Sequence, residues 1–311
     1  MRASLLDGIH VLDGGFATEL EYQGANIVGP LWSAHVLEDA PEKILAVHRA
    51  YIEAGADCIL TAGYQVSRIG YAECGLAPAE ADKALLRSVE LARQAAAEYP
   101  ARRIMIASSL GPYGAMLHNG AEYHGNYDCS FADLAAFHRE RIEVLGNAKG
   151  RQAPDLLAFE TLPSMSEAQA IAKAIEPWPD LSVWFTFTCR DEARVAHGEL
   201  LRECAAYVAK LPQTVAIGVN CTQPGLIAAL IGELKVASGK PIIVYPNSGE
   251  TWDANTRCWT GASSPDAYGL LSTKWFAAGA RIVGGCCRTR PAHIRQVAAA
   301  SITTHASPDT L

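Results

Sequence analysis

The chain has 311 residues, half of them hydrophobic and 19% charged, with a formal net charge of −7. That is a globular composition with ample core-forming material, and the acidic balance gives nucleic acid no electrostatic footprint to bind. No run approaches the roughly 18 apolar residues of a membrane span, and the first fifteen residues lack a signal-peptide pattern, so neither a membrane nor a secretory route is expected.

Short apolar runs alternate with helical patterns along the whole chain. His10–Asp13 is the first strand candidate. Ile44, Val47, Tyr51 and Ile52 then keep an i, i+3, i+7, i+8 spacing, and Gly55 ends that helix. Cys58–Thr61 is the second strand. Leu85, Val89, Ala92 and Ala96 form the next helical stripe, between Pro78 and Pro100. After a third strand at Ile104–Ser109 comes the longest irregular piece, Gly111 to Ser130, which reads as a rim loop or lid. Helices are predicted over 131–147, 166–176, 200–211, 226–238, 265–278 and 291–300. Strands are predicted at Leu156–Glu160, Val183–Thr188, Ala216–Asn220, Ile242–Tyr245 and Ile282–Val283. Thr289 is the candidate cap of the last helix and Pro291 opens its first turn. The tail from Ser301 is polar and is expected to fray.

The strands read as continuous apolar runs, as parallel strands buried on both faces should. Eight strand–helix alternations predict a single-domain α/β fold, a (β/α)8 TIM barrel over residues 1–301 with a short tail at 302–311. A doubly wound open sheet is the alternative. It usually carries a Gly-rich phosphate loop, and no G-x-G-x-x-G occurs here.

In such a barrel the chemistry sits at the C-terminal ends of the strands. Those ends read Asp13-Gly14-Gly15, Thr61-Ala62-Gly63-Tyr64-Gln65, Ser108-Ser109-Leu110-Gly111, Glu160-Thr161, Thr188-Cys189, Asn220-Cys221, Tyr245-Pro246-Asn247 and Cys286-Cys287. Cys221 ends the sixth strand and the Cys286-Cys287 pair ends the eighth. Catalytic zinc commonly keeps three protein ligands and one open position, so three thiolates on one rim suit it. The alternative is a buried cysteine beside a vicinal pair with no metal. Cysteines number nine, at 58, 74, 129, 189, 204, 221, 258, 286 and 287. An odd count in a chain of this size fits reduced thiols in a cytoplasmic protein. Cys58, Cys189 and Cys204 read as packing residues. His118 and His124 share a loop and read as ordinary loop histidines. Asp13 and Glu160 could pair with an ammonium group. As alternatives, Asp13 is a turn residue and Glu160 a cap or the partner of a barrel arginine. Gly14 and Gly15 could let backbone N–H groups hold a carboxylate.

These residues resemble the zinc-dependent homocysteine S-methyltransferases. Asp13-Gly14-Gly15, Gly218-Val219-Asn220-Cys221 and Gly284-Gly285-Cys286-Cys287-Arg288 match the family's three best-known signatures. Phe159-Glu160-Thr161, Ser109-Leu110-Gly111-Pro112-Tyr113-Gly114 and Tyr245-Pro246-Asn247-Ser248-Gly249-Glu250 extend the resemblance over about residues 9 to 300. It implies a TIM barrel with Zn2+ on Cys221, Cys286 and Cys287. It also implies Asp13 and Glu160 on the homocysteine amino group, and Gly14 and Gly15 facing its carboxylate. Asn220 is counted among the substrate residues, and Tyr64 borders the donor pocket or packs. Relatives often have Ser or Thr where this chain has Gly63, which leaves the role of that strand end open.

The implied reaction moves a methyl group from a sulfonium donor, S-methylmethionine or S-adenosylmethionine, to the homocysteine thiol, giving methionine. Coordination deprotonates a thiol, so no catalytic residue apart from the zinc site is expected. The chain has no cobalamin module and lacks the C-terminal extension of betaine-using relatives, so it looks most like the S-methylmethionine-using members. Without homocysteine, Asn220, Asn247, Tyr245 or water would fill the fourth metal position. A thiol-based redox or zinc sensor using the vicinal Cys286-Cys287 pair is the competing reading. A zinc hydrolase would want His and carboxylate ligands, which the strand ends do not offer. The sequence says nothing of oligomeric state.

Overall fold

The computed structural model describes residues 5–27, 31, 35–253, 258–260 and 264–305. Its main sheet is parallel and runs in the order β1 (Cys58–Leu60), β2 (Met105–Leu110), β3 (Leu156–Leu162), β4 (Val183–Phe187), β5 (Thr214–Asn220), β6 (Ile242–Tyr245) and β9 (Ile282–Val283). The eighth position belongs to Val11 and Leu12. Val11 bridges Val283 and Leu12 bridges Cys58, both in parallel, so this two-residue segment joins the first strand to the last and closes the barrel. Leu12 N donates to Val283 O at 2.9 Å and Cys58 N to Val11 O at 3.1 Å. Closure removes both sheet edges and rules out the open doubly wound sheet.

Period-2 alternation sorts the strand residues between two cores. Leu12, Cys58, Leu60, Met105, Ala107, Leu156, Ala158, Trp184, Ala216, Ile243, Tyr245 and Ile282 fill the barrel interior. Their neighbours Ile59, Ile106, Leu157, Phe159, Phe185, Ile217, Val219, Val244 and Val283 pack outward against the helices. That two-sided burial is why the strands lack an amphipathic signature. Gly218 sits where strands approach most closely: a Cβ there would lie 1.7 Å from the Ile243 carbonyl oxygen, so no other residue fits.

Apart from the last, the helices given bounds follow the predicted pattern within a residue or two. They run Pro41–Glu53, Pro78–Ala97, Phe131–Gly146, Met165–Ile175, Leu201–Ala209, Ile227–Ala237, Pro265–Ala278 and Pro291–His305. Ser130, Ser164 and Ser264 cap three of them through their hydroxyls. The last helix continues to His305, past the expected end at Ala300, while residues 306–311 of the tail lie outside the described residues. Thr289 does not cap it. Its hydroxyl donates to Cys286 O at 2.7 Å and accepts from Gly15 N at 3.0 Å, tying two strand-end loops together.

Several elements were not anticipated, among them the short helices Phe16–Tyr22, Val36–Asp39 and Arg68–Glu73. An antiparallel hairpin, β7 (Thr251–Asp253) with β8 (Cys258–Thr260), follows β6. The rim segment after β2 also holds a helix at Tyr113–Met116 and a 3-10 turn at Ala121–Tyr123. No described helix is long and apolar enough to cross a membrane.

Candidate metal centre and substrate pocket

The sulfurs of Cys221, Cys286 and Cys287 all lie within 4.8 Å of one another. Cys221 and Cys286 are in disulfide contact, with Cα atoms 5.5 Å apart, and Cys287 Sγ lies 3.9 Å from Cys221 Sγ. Three reduced sulfurs at this spacing form a donor set that suits a thiophilic divalent metal. Burial pushes the Cys287 thiol up to about 11, with a hydrogen bond from Tyr123 opposing the shift.

Backbone geometry brings the sulfurs together. Cys221 has φ 48° and Arg288 φ 66°, so the chain bends through the left-handed region beside both cysteine loops. Such conformations in non-glycine residues are costly and cluster at functional sites. Cys286 N donates to Pro246 O at 2.8 Å, and Cys287 N donates to Asn247 Oδ1 at 3.2 Å. Asn247 thus holds the cysteine loop in place through its side-chain oxygen. Glu250 and Arg288 pair at 2.6 Å and join the β6 loop to the same turn.

The top interior layer of the barrel is polar. Ser109 Oγ bonds Glu160, Glu160 bonds Tyr245, Tyr245 Oη shares a 2.7 Å bond with Thr186 Oγ1, and Thr186 donates to Asn220 Oδ1 at 2.9 Å. Glu160 is buried, and burial lifts it to about 7 against the hydrogen bonds of Ser109 and Tyr245. Asp13 is fully buried. Its Oδ2 accepts from Leu60 N at 2.8 Å, while Oδ1 has no partner. Burial holds its carboxyl well above the usual range; the Leu60 bond opposes this and the charge of Glu160 adds to it. Among the described residues, no lysine, arginine or histidine pairs with either acid. A buried polar atom without a partner is costly, so Asp13 Oδ1 marks a place for a donor.

Three of the anticipated site residues make contacts within the chain. Both ends of the Asn220 amide are engaged. Its Oδ1 accepts from Thr161 N at 2.7 Å and its Nδ2 donates to Thr161 Oγ1 at 2.8 Å. Thr161 has φ 60°, a strained value for a β-branched residue, and β3 breaks register between Phe159 and Leu162. Asn220 clamps that bulge and so fixes the direction of Glu160. Gly15 cannot use its N–H on a substrate carboxylate, because that group donates to Thr289. Gly14 and Gly15 leave no space around their α-carbons: added Cβ atoms would sit 2.8 Å from the Tyr51 ring and 2.6 Å from Cys286 O. The pair serves close packing of the Asp13 turn against the cysteine loop. Gly63 is similar, since a Cβ there would meet Ser109 O at 2.8 Å.

Tyr64 does border the site. Its hydroxyl bonds the Thr161 side chain, and burial, followed by the charge of Glu122, drives the phenol well above its usual range. His118 and His124 make separate local contacts, with Gln65 and Asn126, and do not approach the sulfurs as a pair. Glu122 and Tyr123 were missed in the sequence. Tyr123 keeps 48% of its surface in solvent, yet its hydroxyl reaches Cys287. The aromatic content of the rim segment was the available signal, but no periodicity marked these two.

That segment is anchored from behind. Tyr113 N donates to Glu167 Oε1 at 2.6 Å, His138 Nε2 donates to the same oxygen at 2.8 Å, and Arg141 donates to His138 Nδ1 at 2.8 Å. His138, Arg141 and Glu167 are buried. The imidazole thus links a buried guanidinium to a buried carboxyl group, lifted by burial to about 8, and that group holds the first turn of the rim.

A homocysteine S-methyltransferase family model matches residues 10–301. The homocysteine S-methyltransferase of Escherichia coli is 44% identical over 307 residues, covering 96% of this chain and 97% of its own. YbgG of Bacillus subtilis, a homocysteine S-methyltransferase, is 43% identical over 297 residues, 93% of each chain. The crystal structure of the E. coli homocysteine methyltransferase MmuM in its metallated form superposes with a TM-score of 0.84 at 42% identity, covering 95% of this chain and 98% of that one. An oxidised form of MmuM gives the same score.

Proposed function

The chain belongs to the homocysteine S-methyltransferase family, and from that premise we propose that it uses zinc on Cys221, Cys286 and Cys287 and takes the methyl group from a sulfonium, S-methylmethionine or S-adenosylmethionine. The observation that carries the reading is the three-sulfur cluster on the rim that also holds Asp13 and Glu160. Bound there, zinc would act as a Lewis acid that keeps the homocysteine sulfur as a thiolate at neutral pH.

The chain's own residues bind and orient. Asp13, fixed by Leu60 N, presents its unpartnered Oδ1 to the homocysteine ammonium. Glu160, fixed by Ser109 and Tyr245, supplies the second carboxylate. Burial raises both above the usual carboxylate range, Glu160 to about 7, and an arriving cation favours their ionised forms. Tyr64 and Tyr123 wall the side beside Cys287. Orienting the two reactants in this way supplies catalysis without a separate general base.

We take residues 1–301 as one homocysteine-binding barrel with a short tail from 302. Free thiols suit the reducing cytoplasm, where we place the protein. The test is direct: reduced, zinc-loaded protein is incubated with homocysteine and each of S-methylmethionine, S-adenosylmethionine and betaine, and methionine is measured. Methionine from a sulfonium and none from betaine supports the reading; none from either sulfonium ends it.

A further inference from the structure

Glu122 is not used by the homocysteine pocket described above. It sits in the 3-10 turn Ala121–Tyr123, and its Oε2 is buried with no hydrogen-bond partner. Among the described residues, no lysine, arginine or histidine pairs with it. Burial lifts it to about 7, against a hydrogen bond from its own backbone N–H. Its neighbour Tyr123 hydrogen-bonds Cys287, and its charge is felt by Tyr64, Tyr123 and Cys287.

The position is built rather than incidental. Glu122 backbone lies so close to Gly114 that a Cβ on that glycine would be 2.5 Å from Glu122 N. Gly114 belongs to the helix Tyr113–Met116, whose first N–H donates to Glu167, which is held in turn by His138 and, behind it, Arg141. Gly111, at the root of the segment, is packed on Tyr64, with its N–H donating to Tyr64 O at 3.0 Å. The core thus fixes a carboxylate beside the sulfur cluster.

The electrostatics of that choice are unfavourable without a cation. Three cysteine sulfurs, Asp13 and Glu160 already gather potential negative charge on this rim, and homocysteine brings one ammonium and one carboxylate. Its ammonium belongs to Asp13 and Glu160. Glu122 is left without a cation of its own.

We propose that Glu122, walled by Tyr64 and Tyr123, is the residue that selects a positively charged methyl donor, its carboxylate pairing with the sulfonium end. The proposal rests on the sulfonium reading of the preceding subsection. In the transfer, the donor's S–CH3 bond breaks and its electron pair stays on the donor sulfur, which leaves as a neutral thioether. The new S–CH3 bond forms with an electron pair of the homocysteine thiolate. The donor's positive charge therefore fades on the way to the transition state and is gone in the product. A carboxylate facing it binds the ground state more strongly than the transition state, so it lowers donor KM without raising kcat. It also loosens its hold on the product.

The test compares reduced, zinc-loaded wild type with Glu122→Gln and Glu122→Asp, varying S-methylmethionine and homocysteine in turn. Donor KM is expected to rise about tenfold or more in Glu122→Gln, the scale of one lost charge-assisted contact. Homocysteine KM and zinc content should hold, kcat should not fall, and Glu122→Asp should recover part of the donor KM. A loss of packing alone would instead lower kcat or zinc content. If Glu122→Gln does not fold, Glu122→Asp carries the same comparison with a smaller rise. Donor KM unchanged in the variants, with an active wild type, overturns this proposal alone. A wild type that takes no methyl group from either sulfonium overturns the donor reading and this proposal with it.

Discussion

The two ends of the barrel use the same acidic residues in opposite ways. At the N-terminal end the strand-entry aspartates Asp57 and Asp155 are each held by a cation and by backbone N–H groups. Asp57 Oδ2 accepts from His10 N and Val11 N, both at 3.1 Å, and Arg102 lies 3.6 Å away. Asp155 accepts from Ile106 N at 2.7 Å and is held by both ends of the Arg93 guanidinium. At the C-terminal end Asp13, Glu160 and Glu122 are buried or nearly so and have no such cation among the described residues. The lower end spends its charges on closing the barrel. The upper end leaves its charges to be completed by ligands, and strain accumulates there: all four described non-glycine residues with positive φ, His118, Thr161, Cys221 and Arg288, lie on this rim.

The largest break in this contrast comes from the sulfurs. Cys221→Ser should abolish methionine formation and take bound zinc from about one per chain to none, read by metal analysis. A chelator should do the same to wild type, reversibly. A variant that keeps both metal and activity would remove Cys221 from the metal centre.

Next come the acids of the upper rim. Asp13→Asn should lower kcat/KM for homocysteine by roughly 10- to 200-fold, the worth of a charge-assisted hydrogen bond. Because Asp13 is buried without a cation, the melting temperature should hold or rise. Asp155→Ala should do the reverse. Losing its guanidinium and backbone partners costs about 1–3 kcal/mol, or several degrees of melting temperature, while steady-state kinetics stay at the wild-type level. If the two variants behave alike, the division between the ends is wrong.

Legibility in the sequence follows the same line. The strands, the helices and the three cysteines could be read because they depend on local pattern and on a rule that places chemistry at strand ends. The first strand was found although only Val11 and Leu12 make bridges, because its apolar run has the same signature as the others. The clamp of Asn220 on Thr161 is not legible because the two lie 59 residues apart, and nothing in either segment announces it. The bond from Gly15 N–H to Thr289 is hidden for a similar reason, since the two are 274 residues apart. Glu122 was missed because a rim segment without periodicity gives no warning of which side chain turns inward. The anchor at Glu167, His138 and Arg141 looked like ordinary amphipathic helix.

The smallest expected effect tests the upper end by pH, and it carries two opposite signs. Glu160 titrates near 7 in the folded chain because burial outweighs its hydrogen bonds. An ammonium group needs it ionised, so binding should strengthen as pH rises through that value. Methionine is the useful probe, since it carries the ammonium but no titrating thiol. Its affinity for the zinc-loaded protein, read by calorimetry, should rise about tenfold between pH 6 and 8 and level off above. The stability of the ligand-free protein should move the other way. A carboxyl raised above its unfolded value stabilises the fold fully below about 4.3, and that contribution is lost as pH climbs through the folded value, here about 1 kcal/mol between pH 6 and 8. Glu160→Gln should flatten both curves. If the variant flattens the stability curve but leaves the methionine curve intact, Glu160 is an internal acid of the polar layer and the ammonium rests on Asp13 alone.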